Sequence, residues 1–492
     1  MVSVCLSART EKHFNIVFRE QILSENAVEP VLSELASIFD EQDVLTDPDS
    51  LSFYGSDRTR FVPPCPLAVV MIRDEKRLIS LIMLARKHGV GLVPSGGRTG
   101  LSGGALAPKG EIVVSFEKYN RVLEFNDEEA SVRVQAGVIT EQIQLLAEEH
   151  GLLYPVNFAS AGSSQIGGNI ATNAGGIRVI RYGMTRDWIT GLRVITGKGE
   201  ILELNYGLTK NATGYDLRHL FIGSEGTLGF ITEAIIKLTR PPLNPVVYLL
   251  SVENMEHVTA VLGLFQKHLD ILAFEFFSDA ALEKVLAHRR LDSPLENRSP
   301  YYVLAEFEAI DESSSARALE LFEQSVEEGL VLDGVCSRNE SDRKRLWQYR
   351  EGISEAIAEY MPYKNDISVR PSRTSVFLDR LDKLVKDRYP DFQLIWFGHI
   401  GDGNLHLNIL KPAEMTTDAF VSHCEQVNQI LYGLVKEMQG SVSAEHGIGL
   451  LKSPYLGFTR SDSEIQAMLQ IKSIFDPDGI MNPGKLFRRS AS

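Results

Sequence analysis

The chain has few cysteines, no long apolar run and no excess of basic residues, and each shortage excludes a class of protein. The 492 residues include four cysteines, which are far apart and form no CxxC pair: Cys5, Cys65, Cys336 and Cys424. This pattern argues against a disulfide framework and against a cysteine metal site. No apolar run approaches the roughly 20 residues that cross a bilayer, and the first residues contain no cleavable hydrophobic segment. We therefore expect a cytoplasmic protein.

The charge balance argues against a nucleic-acid partner. The formal net charge is −15, whereas nucleic acid usually binds a basic face. A hydrophobic content of 44% with 23% charged residues is ordinary for a globular protein, and the length allows roughly two to four domains.

The spacing of apolar residues predicts mixed helices and strands in the first half. Helices are expected over residues 27–42, 74–89 and 140–151, and strands over 66–72, 90–94, 110–116 and 130–138. Asp74 is the expected N-cap of the second helix and Gly89 its expected end. Paired prolines in "LTRPPL" (238–243) mark a boundary.

From about residue 244 the chain alternates strands with amphipathic helices, which predicts an open sheet with helices packed on it. A charge-rich helix is expected over 339–360, then a strand around "KNDISV" and a helix over 416–438.

Three glycine-rich loops stand out in the first half. "PSGGRTGLSGG" (94–104) directly follows a strand, and its N–H groups could form a concave nest for a pyrophosphate. Its spacing matches neither a Rossmann fingerprint nor a P-loop, and no helix clearly follows it. "GSSQIGGNIATNAGG" (162–176) and "GSEGTLGFIT" (223–232) are similar in composition, and we expect both to lead into apolar strands. Together the loops could line one extended ligand with phosphates and a flat ring.

"FGHIGDGNLHLNIL" (397–410) places two histidines, His399 and His406, on either side of a glycine-rich turn. The glycines would let the chain double back, so that both rings face one point. The alternative is a pair of core histidines bonded to the backbone.

These segments, with "SAEHGIG" and "NPGK", occur in the same order as in the flavin-linked oxidases of the vanillyl-alcohol-oxidase superfamily, over about residues 50–488. Within that superfamily the chain resembles the branch of D-lactate, glycolate and D-2-hydroxyglutarate dehydrogenases, and most of all the last group. The resemblance implies an α+β protein with a PCMH-type FAD-binding domain, a ferredoxin-like open-sheet substrate domain and a small helical C-terminal region.

The implied domains can be placed on this sequence. Residues 1–60 would form the N-terminal helical part of the FAD domain, and 61–241 the PCMH-type FAD-binding domain. Residues 242–450 would form the substrate domain with a metal site, and 451–492 would return to the FAD domain.

The resemblance also implies FAD, with its pyrophosphate on the first loop. Relatives with covalent flavin hold it through a histidine or cysteine, and the first loop has neither, so we expect FAD to be non-covalent. The residues expected to contact it are Pro94, Ser95, Gly96, Gly97, Arg98, Thr99, Gly100, Ser102, Gly103, Gly137, Gly162, Ser163, Gly167, Gly168, Asn169, Thr172, Asn173, Gly175, Gly176, Tyr182, Gly183, Glu225, Gly226, Gly229, Ile231 and Asn482.

For the second half the resemblance assigns His399, His406 and Glu445 as ligands of a divalent metal, with Zn²⁺ expected. Two imidazoles and one carboxylate make the open three-ligand set of catalytic zinc sites. His446 would be the general base and bind substrate, or else orient a metal ligand. Asn408 would bind the substrate carboxylate. The implied reaction oxidises D-2-hydroxyglutarate to 2-oxoglutarate by hydride transfer from C2 to flavin N5.

Three residues bear on the choice of substrate. Arg350 and Ser354 are four apart on the expected helix and so neighbours on one face, and Lys364 lies in "YKNDIS". In the hydroxyglutarate branch, matching positions carry arginine, usually threonine, and lysine, which grip the distal carboxylate. Lactate and glycolate relatives tend to lack that lysine, but serine in place of threonine leaves D-malate open. A solvated helix with ordinary charges is the simpler alternative.

Other classes of protein would show different sequence features. A non-catalytic flavoprotein subunit would lack the metal constellation, a metal hydrolase would not need three flavin loops, and an NAD-dependent dehydrogenase would show the Rossmann fingerprint. The resemblance implies an electron-transfer flavoprotein or a quinone-linked carrier as electron acceptor, and we expect a homodimer.

Overall fold

The computed structural model describes residues 25–59 and 62–488. Residues 1–24 and 60 of the N-terminal part expected over 1–60 therefore lie outside the described residues, and so does Cys5. The helix predicted over 27–42 is described, and it spans Glu25–Ile38. No helix in the described ranges is long and apolar enough to cross a membrane.

The helices are α1 Glu25–Ile38, α2 Pro48–Tyr54, α3 Glu75–His88, α4 Thr140–Glu149, α5 Ile166–Thr172, α6 Val179–Tyr182, α7 Arg218–Phe221, α8 Met255–Gln266, α9 Asp279–Arg289, α10 Glu312–Glu327, α11 Glu340–Glu351, α12 Ile353–Ala356, α13 Thr374–Arg388, α14 Thr417–Glu437 and α15 Asp462–Phe475. Short 3₁₀ turns cover Glu41–Asp43, Thr185–Asp187, Ala358–Tyr360, Pro371–Arg373 and Ser453–Phe458.

The strands are β1 Val44–Leu45, β2 Ala68–Met71, β3 Leu92–Ser95, β4 Ile112–Ser115, β5 Val122–Asn126, β6 Ser131–Gln135, β7 Ile189–Thr196, β8 Ile201–Leu204, β9 Gly229–Lys237, β10 Pro245–Val252, β11 Asp270–Ser278, β12 Tyr301–Glu308, β13 Asp333–Cys336, β14 Tyr363–Ser368, β15 Gln393–Gly398 and β16 Asn404–Leu410.

The first sheet has the order β1-β2-β4-β3, in which β2, β4 and β3 are parallel. β2 and β4 are buried along their whole length, as expected when helices cover a parallel sheet. α3 connects β2 to β3 and confirms the predicted caps: Asp74 accepts a hydrogen bond from the N–H of Arg77 at 2.8 Å, and Gly89 ends the helix at φ 68°.

The second sheet is antiparallel, in the order β5-β6-β9-β7-β8. One face of it packs on α4 and α5. α5 corrects our prediction for the second loop, which we expected to lead into a strand. A helix forms instead because Ile166 and Ile170, four residues apart, are both fully buried on one face.

The third sheet is antiparallel, in the order β13-β10-β12-β11-β15-β16-β14. The run β10-α8-β11-β12-α10-β13 supplies the four strands at one end, which is the ferredoxin-like arrangement. The hairpin β15–β16 and strand β14 extend it at the other end. The α+β class expected from the sequence is confirmed.

The two faces of the third sheet differ in chemistry. One face packs on α8, α10, α13 and α14 in the largest apolar core. The other face packs on α9, α11 and α12 and carries the polar residues of the site. In β16 the alternation is regular, since Leu405 and Leu407 lie in the large core while His406 and Asn408 point to the opposite face.

The polar face also contacts the part of the chain that precedes β10 through ion pairs. Arg178 lies 3.0 Å from the fully buried Glu306, and Arg240 lies 2.5 Å from Glu308. Both glutamates belong to β12, so the third sheet faces the loops of the first two sheets.

The prediction of a single helix over 339–360 is wrong. α11 ends at Glu351, and α12 starts two residues later, after Gly352. A Cβ at Gly352 would lie 2.9 Å from Nε of Arg289 on α9, so the chain turns where another helix crosses it.

The C-terminal segment returns to the first sheet. Leu92 donates its N–H to the carbonyl of Ile480 at 2.8 Å and accepts the N–H of Asn482 at 2.8 Å. Lys485 donates to the carbonyl of Leu106 at 2.6 Å. Residues 480–485 therefore close the sheet edge beside the first glycine-rich loop.

Candidate active site

A groove runs between the three glycine-rich loops. Of the residues predicted to contact FAD, those that line it are Pro94, Ser95, Gly96, Gly97, Arg98, Thr99, Gly100, Ser102, Gly167, Gly168, Asn169, Thr172, Glu225, Gly226, Gly229, Ile231 and Asn482. His446 lines it as well. The groove also includes residues outside the list of predicted FAD contacts: Gly104, Ser164, Gln165, Ala171 and Phe230 from the three loops, and Ala105, Phe116 and Ala136 from elsewhere.

The remaining residues predicted to contact FAD lie off the groove lining: Gly103, Gly137, Gly162, Ser163, Asn173, Gly175, Gly176, Tyr182 and Gly183. Close approach of the backbone explains two of these glycines. A Cβ at Gly137 would lie 2.0 Å from the carbonyl oxygen of Phe116, and one at Gly176 would lie 1.9 Å from that of Asn157. Contacts of these residues with FAD stay a prediction.

The groove suits a polar cofactor. Three buried atoms among its lining residues have no hydrogen-bond partner within the described ranges: Ser95 Oγ, Gln165 Oε1 and Asn482 Oδ1. Buried polar atoms are normally bonded, so a ligand with polar groups would satisfy them. Among the described residues, no atom beyond those of α5 and the adjacent chain lies within 4 Å of the Cβ position of Gly168, which leaves space beside α5. These features fit FAD.

The first loop is held in place by an aromatic contact and by a neighbouring loop. The guanidinium of Arg98 lies 4.3 Å from the ring centre of Phe53 and 4.7 Å from that of Tyr54. A Cβ at Gly97 would lie 2.0 Å from the carbonyl oxygen of Ser163, so only glycine permits this contact between the first two loops.

The third loop contacts the segment that carries the predicted base. Glu225 is buried at the groove with φ 52°, and its carboxylate accepts the N–H groups of Ile448 and Gly449 at 2.8 and 2.6 Å. Burial raises the pKa of Glu225, and these two hydrogen bonds oppose the rise. Asn482 donates to the carbonyls of Gly104 and Glu225 at 2.9 and 2.7 Å, which joins the first and third loops.

The hairpin β15–β16 brings the two histidines together, as the glycine-rich turn predicted. Their ring centres are 5.2 Å apart. Glu445 lies 3.5 Å from Nε2 of His399, and ligand atoms of His399, His406 and Glu445 all fall within 4.8 Å of one another. The residues fit a divalent metal such as Zn²⁺, because the set has the composition of an open catalytic site.

A buried carboxylate stands behind each histidine. Glu275 of β11 lies 2.7 Å from Nδ1 of His399, and Asp366 of β14 lies 3.5 Å from Nδ1 of His406. Both carboxylates are almost fully buried. Such partners orient an imidazole so that Nε2 faces the metal.

Burial and neighbouring charges set the protonation of this cluster. Burial opposes the charge on His399, but Glu275 and Glu445 raise its pKa well above the usual value. Burial lowers the pKa of His406 to about 3 and also lowers that of His446. Burial opposes ionisation of Glu445, yet His399 keeps its pKa below the usual range. His406 and His446 are therefore neutral at pH 7 and can offer a lone pair.

Some of the residues predicted to bind substrate lie around this cluster. Arg350 is buried, with its guanidinium 2.7 Å from Glu275 and 4.8 Å from the ring centre of Phe397. Lys364 is exposed on β14 in register with the buried Asn408. Ser354 is exposed on α12, beyond the break at Gly352, so it does not share a continuous helix face with Arg350.

Sequence reasoning missed Glu275 and Asp366. A signal was present for each, because Glu275 interrupts the apolar run "LAFEFFS" and Asp366 lies inside the strand "KNDIS". A charged residue in a buried strand needs a partner. Which partner it has depends on strand register, which the sequence does not show.

The fold and the site define a class of protein: a flavin-dependent oxidoreductase with a groove between its glycine-rich loops and, beside it, a cluster of His and Glu side chains with the composition of a metal site. The sequence matches the FAD binding domain over residues 66–205 and the C-terminal domain of FAD linked oxidases over 242–486. It is 52% identical to D-2-hydroxyglutarate dehydrogenase of Stutzerimonas stutzeri, over 93% of this chain and 98% of that one. It is 36% identical to the mitochondrial enzyme of that name from Bos taurus, over 90% and 81%. The chain belongs to this family of FAD-linked dehydrogenases.

Solved structures agree on the fold. p-Cresol methylhydroxylase with substrate bound superposes with a TM-score of 0.79 at 12% identity, over 96% of this chain and 99% of that one. Alkyldihydroxyacetonephosphate synthase superposes with a TM-score of 0.70 at 16% identity, over 92% and 85%. The chain is an FAD-dependent oxidoreductase with a PCMH-type FAD-binding fold, which confirms the resemblance seen in the sequence.

Proposed function

We propose that this enzyme oxidises D-2-hydroxyglutarate to 2-oxoglutarate with non-covalent FAD and a divalent metal, Zn²⁺ being expected. The observation that supports this most is the position of His446. Its side chain lines the flavin groove, and the neighbouring residue Glu445 belongs to the metal-ligand cluster. A proton acceptor at this junction can reach a substrate held between metal and flavin.

Each residue then has a chemical role. When bound, the metal supplies Lewis acidity that lowers the pKa of the substrate hydroxyl, and FAD supplies N5 as acceptor for hydride from C2. His399, His406 and Glu445 would hold the metal, each histidine backed by its carboxylate. Nε2 of the neutral His446 would accept the hydroxyl proton. The loops around the groove would exclude water.

The proposed choice of a dicarboxylate is supported by two cationic residues around the cluster. Arg350 would bind the distal carboxylate from α11, and Lys364 would reach it from β14. Asn408, in register with Lys364, would bind the carboxylate next to the hydroxyl. Ser354 would add a hydroxyl from α12. D-malate is the second candidate, because its distal carboxylate is one carbon closer and serine here stands where threonine is usual.

The test is a dye-reduction screen of D- and L-2-hydroxy acids, with and without a chelator. We expect D-2-hydroxyglutarate to give the highest kcat/KM, D-malate less, and the L-acids none. A preference for D-lactate or glycolate would overturn the substrate assignment and leave the flavin chemistry intact. Full activity of metal-free enzyme that retains its flavin would overturn the metal role.

The electron acceptor we propose is an electron-transfer flavoprotein or a quinone-linked carrier, and we expect a homodimer in the cytoplasm. Reoxidation of the reduced flavin by each purified carrier would identify the acceptor. Light scattering would give the oligomeric state.

A further inference from the structure

We propose that Asp366 is a positioning residue that fixes both the metal ligand His406 and the base His446. This inference rests on the proposed function, which supplies the roles of the two histidines. Asp366 lies near the middle of β14 and is 1% exposed. It stands in register with His406 on β16.

The hydrogen bonds of Asp366 join two separate parts of the chain. Its Oδ2 accepts the N–H groups of Ala444, Glu445 and His446 at 3.2, 2.9 and 3.0 Å. Its Oδ1 accepts the side-chain amide of Asn404 at 2.8 Å. One carboxylate therefore sets the backbone of the third metal ligand and of the base relative to β14 and β16.

The same carboxylate faces both imidazoles from behind. Nδ1 of His406 lies 3.5 Å from Oδ1, and Nδ1 of His446 lies 3.6 Å from Oδ2. The two rings are nearly parallel, with their planes 16° apart. An ionised carboxylate only accepts hydrogen bonds, so it favours the tautomer with hydrogen on Nδ1. Nε2 of His406 is then free to bind metal, and Nε2 of His446 is free to take a proton.

The surroundings keep Asp366 ionised and fixed. The buried ammonium of Lys452 donates to the backbone carbonyls of Asp366 and Val442 at 3.1 and 2.9 Å. The four hydrogen bonds donated to its two oxygens fit an ionised carboxylate, which only accepts hydrogen bonds.

The test replaces Asp366 with asparagine, which has the same shape. If the amide oxygen of the new asparagine keeps accepting the three backbone N–H groups, its NH₂ group faces His406 and Asn404. Both of these neighbours also donate hydrogen bonds, so donors would face donors. His406 must then move or change tautomer. We expect the affinity of Asp366→Asn for zinc to fall about 10–100-fold, the usual effect of losing such a partner. Flavin reduction in a single turnover should remain at least roughly tenfold slower even at saturating zinc, because His446 is displaced too.

Asn365→Ala is the matched control. Asn365 is the preceding residue of β14, is equally buried, and accepts a hydrogen bond from Tyr432 at 3.1 Å on the opposite face of the sheet. This variant should lower stability without changing zinc affinity or the rate of flavin reduction. If Asp366→Asn also keeps the wild-type zinc affinity, or reaches the wild-type rate once zinc is saturating, the positioning role is wrong.

A measurement on the unmodified protein covers the case in which Asp366→Asn fails to fold. Histidine-selective ¹⁵N NMR, with His446→Asn and His406→Asn to assign the signals, reports which ring nitrogen carries the proton. We expect hydrogen on Nδ1 of both residues, and a proton on Nε2 of His446 would overturn the proposal. Neither this readout nor zinc affinity depends on which acid is the substrate. Absence of flavin reduction by every 2-hydroxy acid would instead count against the proposed function.

Discussion

Replacing Lys364 with methionine is the sharpest test of substrate choice. The change keeps an unbranched apolar side chain, one atom shorter, and removes the charged ammonium. Lys364 is exposed, and it lies in register with Asn408 and two residues before Asp366, on the same face of β14, so it lies beside the site. Arg350 is a poorer target, because its loss would break a buried ion pair with Glu275, at a cost of about 3–5 kcal/mol.

The expected magnitude follows from the exposure of Lys364. A hydrogen bond to a charged group contributes about 1.5–3 kcal/mol, and contact with water favours the lower end of that range. A loss of about 1.5–2 kcal/mol corresponds to a fall of roughly 10–30-fold in kcat/KM for D-2-hydroxyglutarate. D-lactate has no distal carboxylate, so its kcat/KM should hardly change.

The assay compares dye reduction with both acids for the unmodified enzyme, Lys364→Met and the control Lys386→Met. Lys386 is a similarly exposed lysine on α13, which packs on the opposite face of the sheet. The control should leave the ratio of the two kcat/KM values unchanged. Equal losses on both acids in Lys364→Met would show that Lys364 supports the fold or the metal cluster and does not select the substrate.

Three further predictions concern the cofactors. Dialysis against a chelator should abolish turnover while the flavin spectrum persists, because the metal ligands lie in the second half of the chain and the glycine-rich loops in the first. Loss of flavin together with the metal would contradict this separation. His446→Ala should lower kcat by roughly 10²–10⁴-fold with FAD content unchanged, and a near-normal rate would leave His446 only an orienting role. Gly168→Leu should keep the Tm of the FAD-free protein but reduce FAD retention, since its side chain would enter the groove; Gly433→Ala, at another uncrowded helical glycine far from the groove, should retain FAD fully.

Local signals predicted much of the fold. The strand–helix–strand unit around α3 was correct down to both caps, because apolar spacing, Asp74 and Gly89 act within a few residues. The prediction failed at α5, where two adjacent glycines each cost a helix roughly 1 kcal/mol. Burial of Ile166 and Ile170 outweighs that cost, and burial of this kind is not a local property.

From the sequence, only those parts of the site that carry a motif could be predicted. The glycine loops and the histidine hairpin carry recognisable spacing, so their residues could be named from the sequence. Glu275 and Asp366 have no motif, since each acts on a histidine through strand pairing: β11 beside β15 and β14 beside β16. The sequence placed Ser354 on one helix face with Arg350 because it does not show the break at Gly352. That break occurs where α9 crosses, which is a contact between distant parts of the chain.

The return of residues 480–485 to the first sheet has a consequence for how the protein is made. Leu92 and the first glycine-rich loop are synthesised long before their partners Ile480, Asn482 and Lys485, since 378 positions separate Gly104 from Asn482. The N-terminal strands can collapse while translation continues, but the wall of the groove that Asn482 provides is then still missing. Cofactor capture should therefore wait until Asn482 has been synthesised and has docked on the first and third loops. Deletion of residues 480–485 should thus impair flavin loading before it impairs the apolar core of the third sheet.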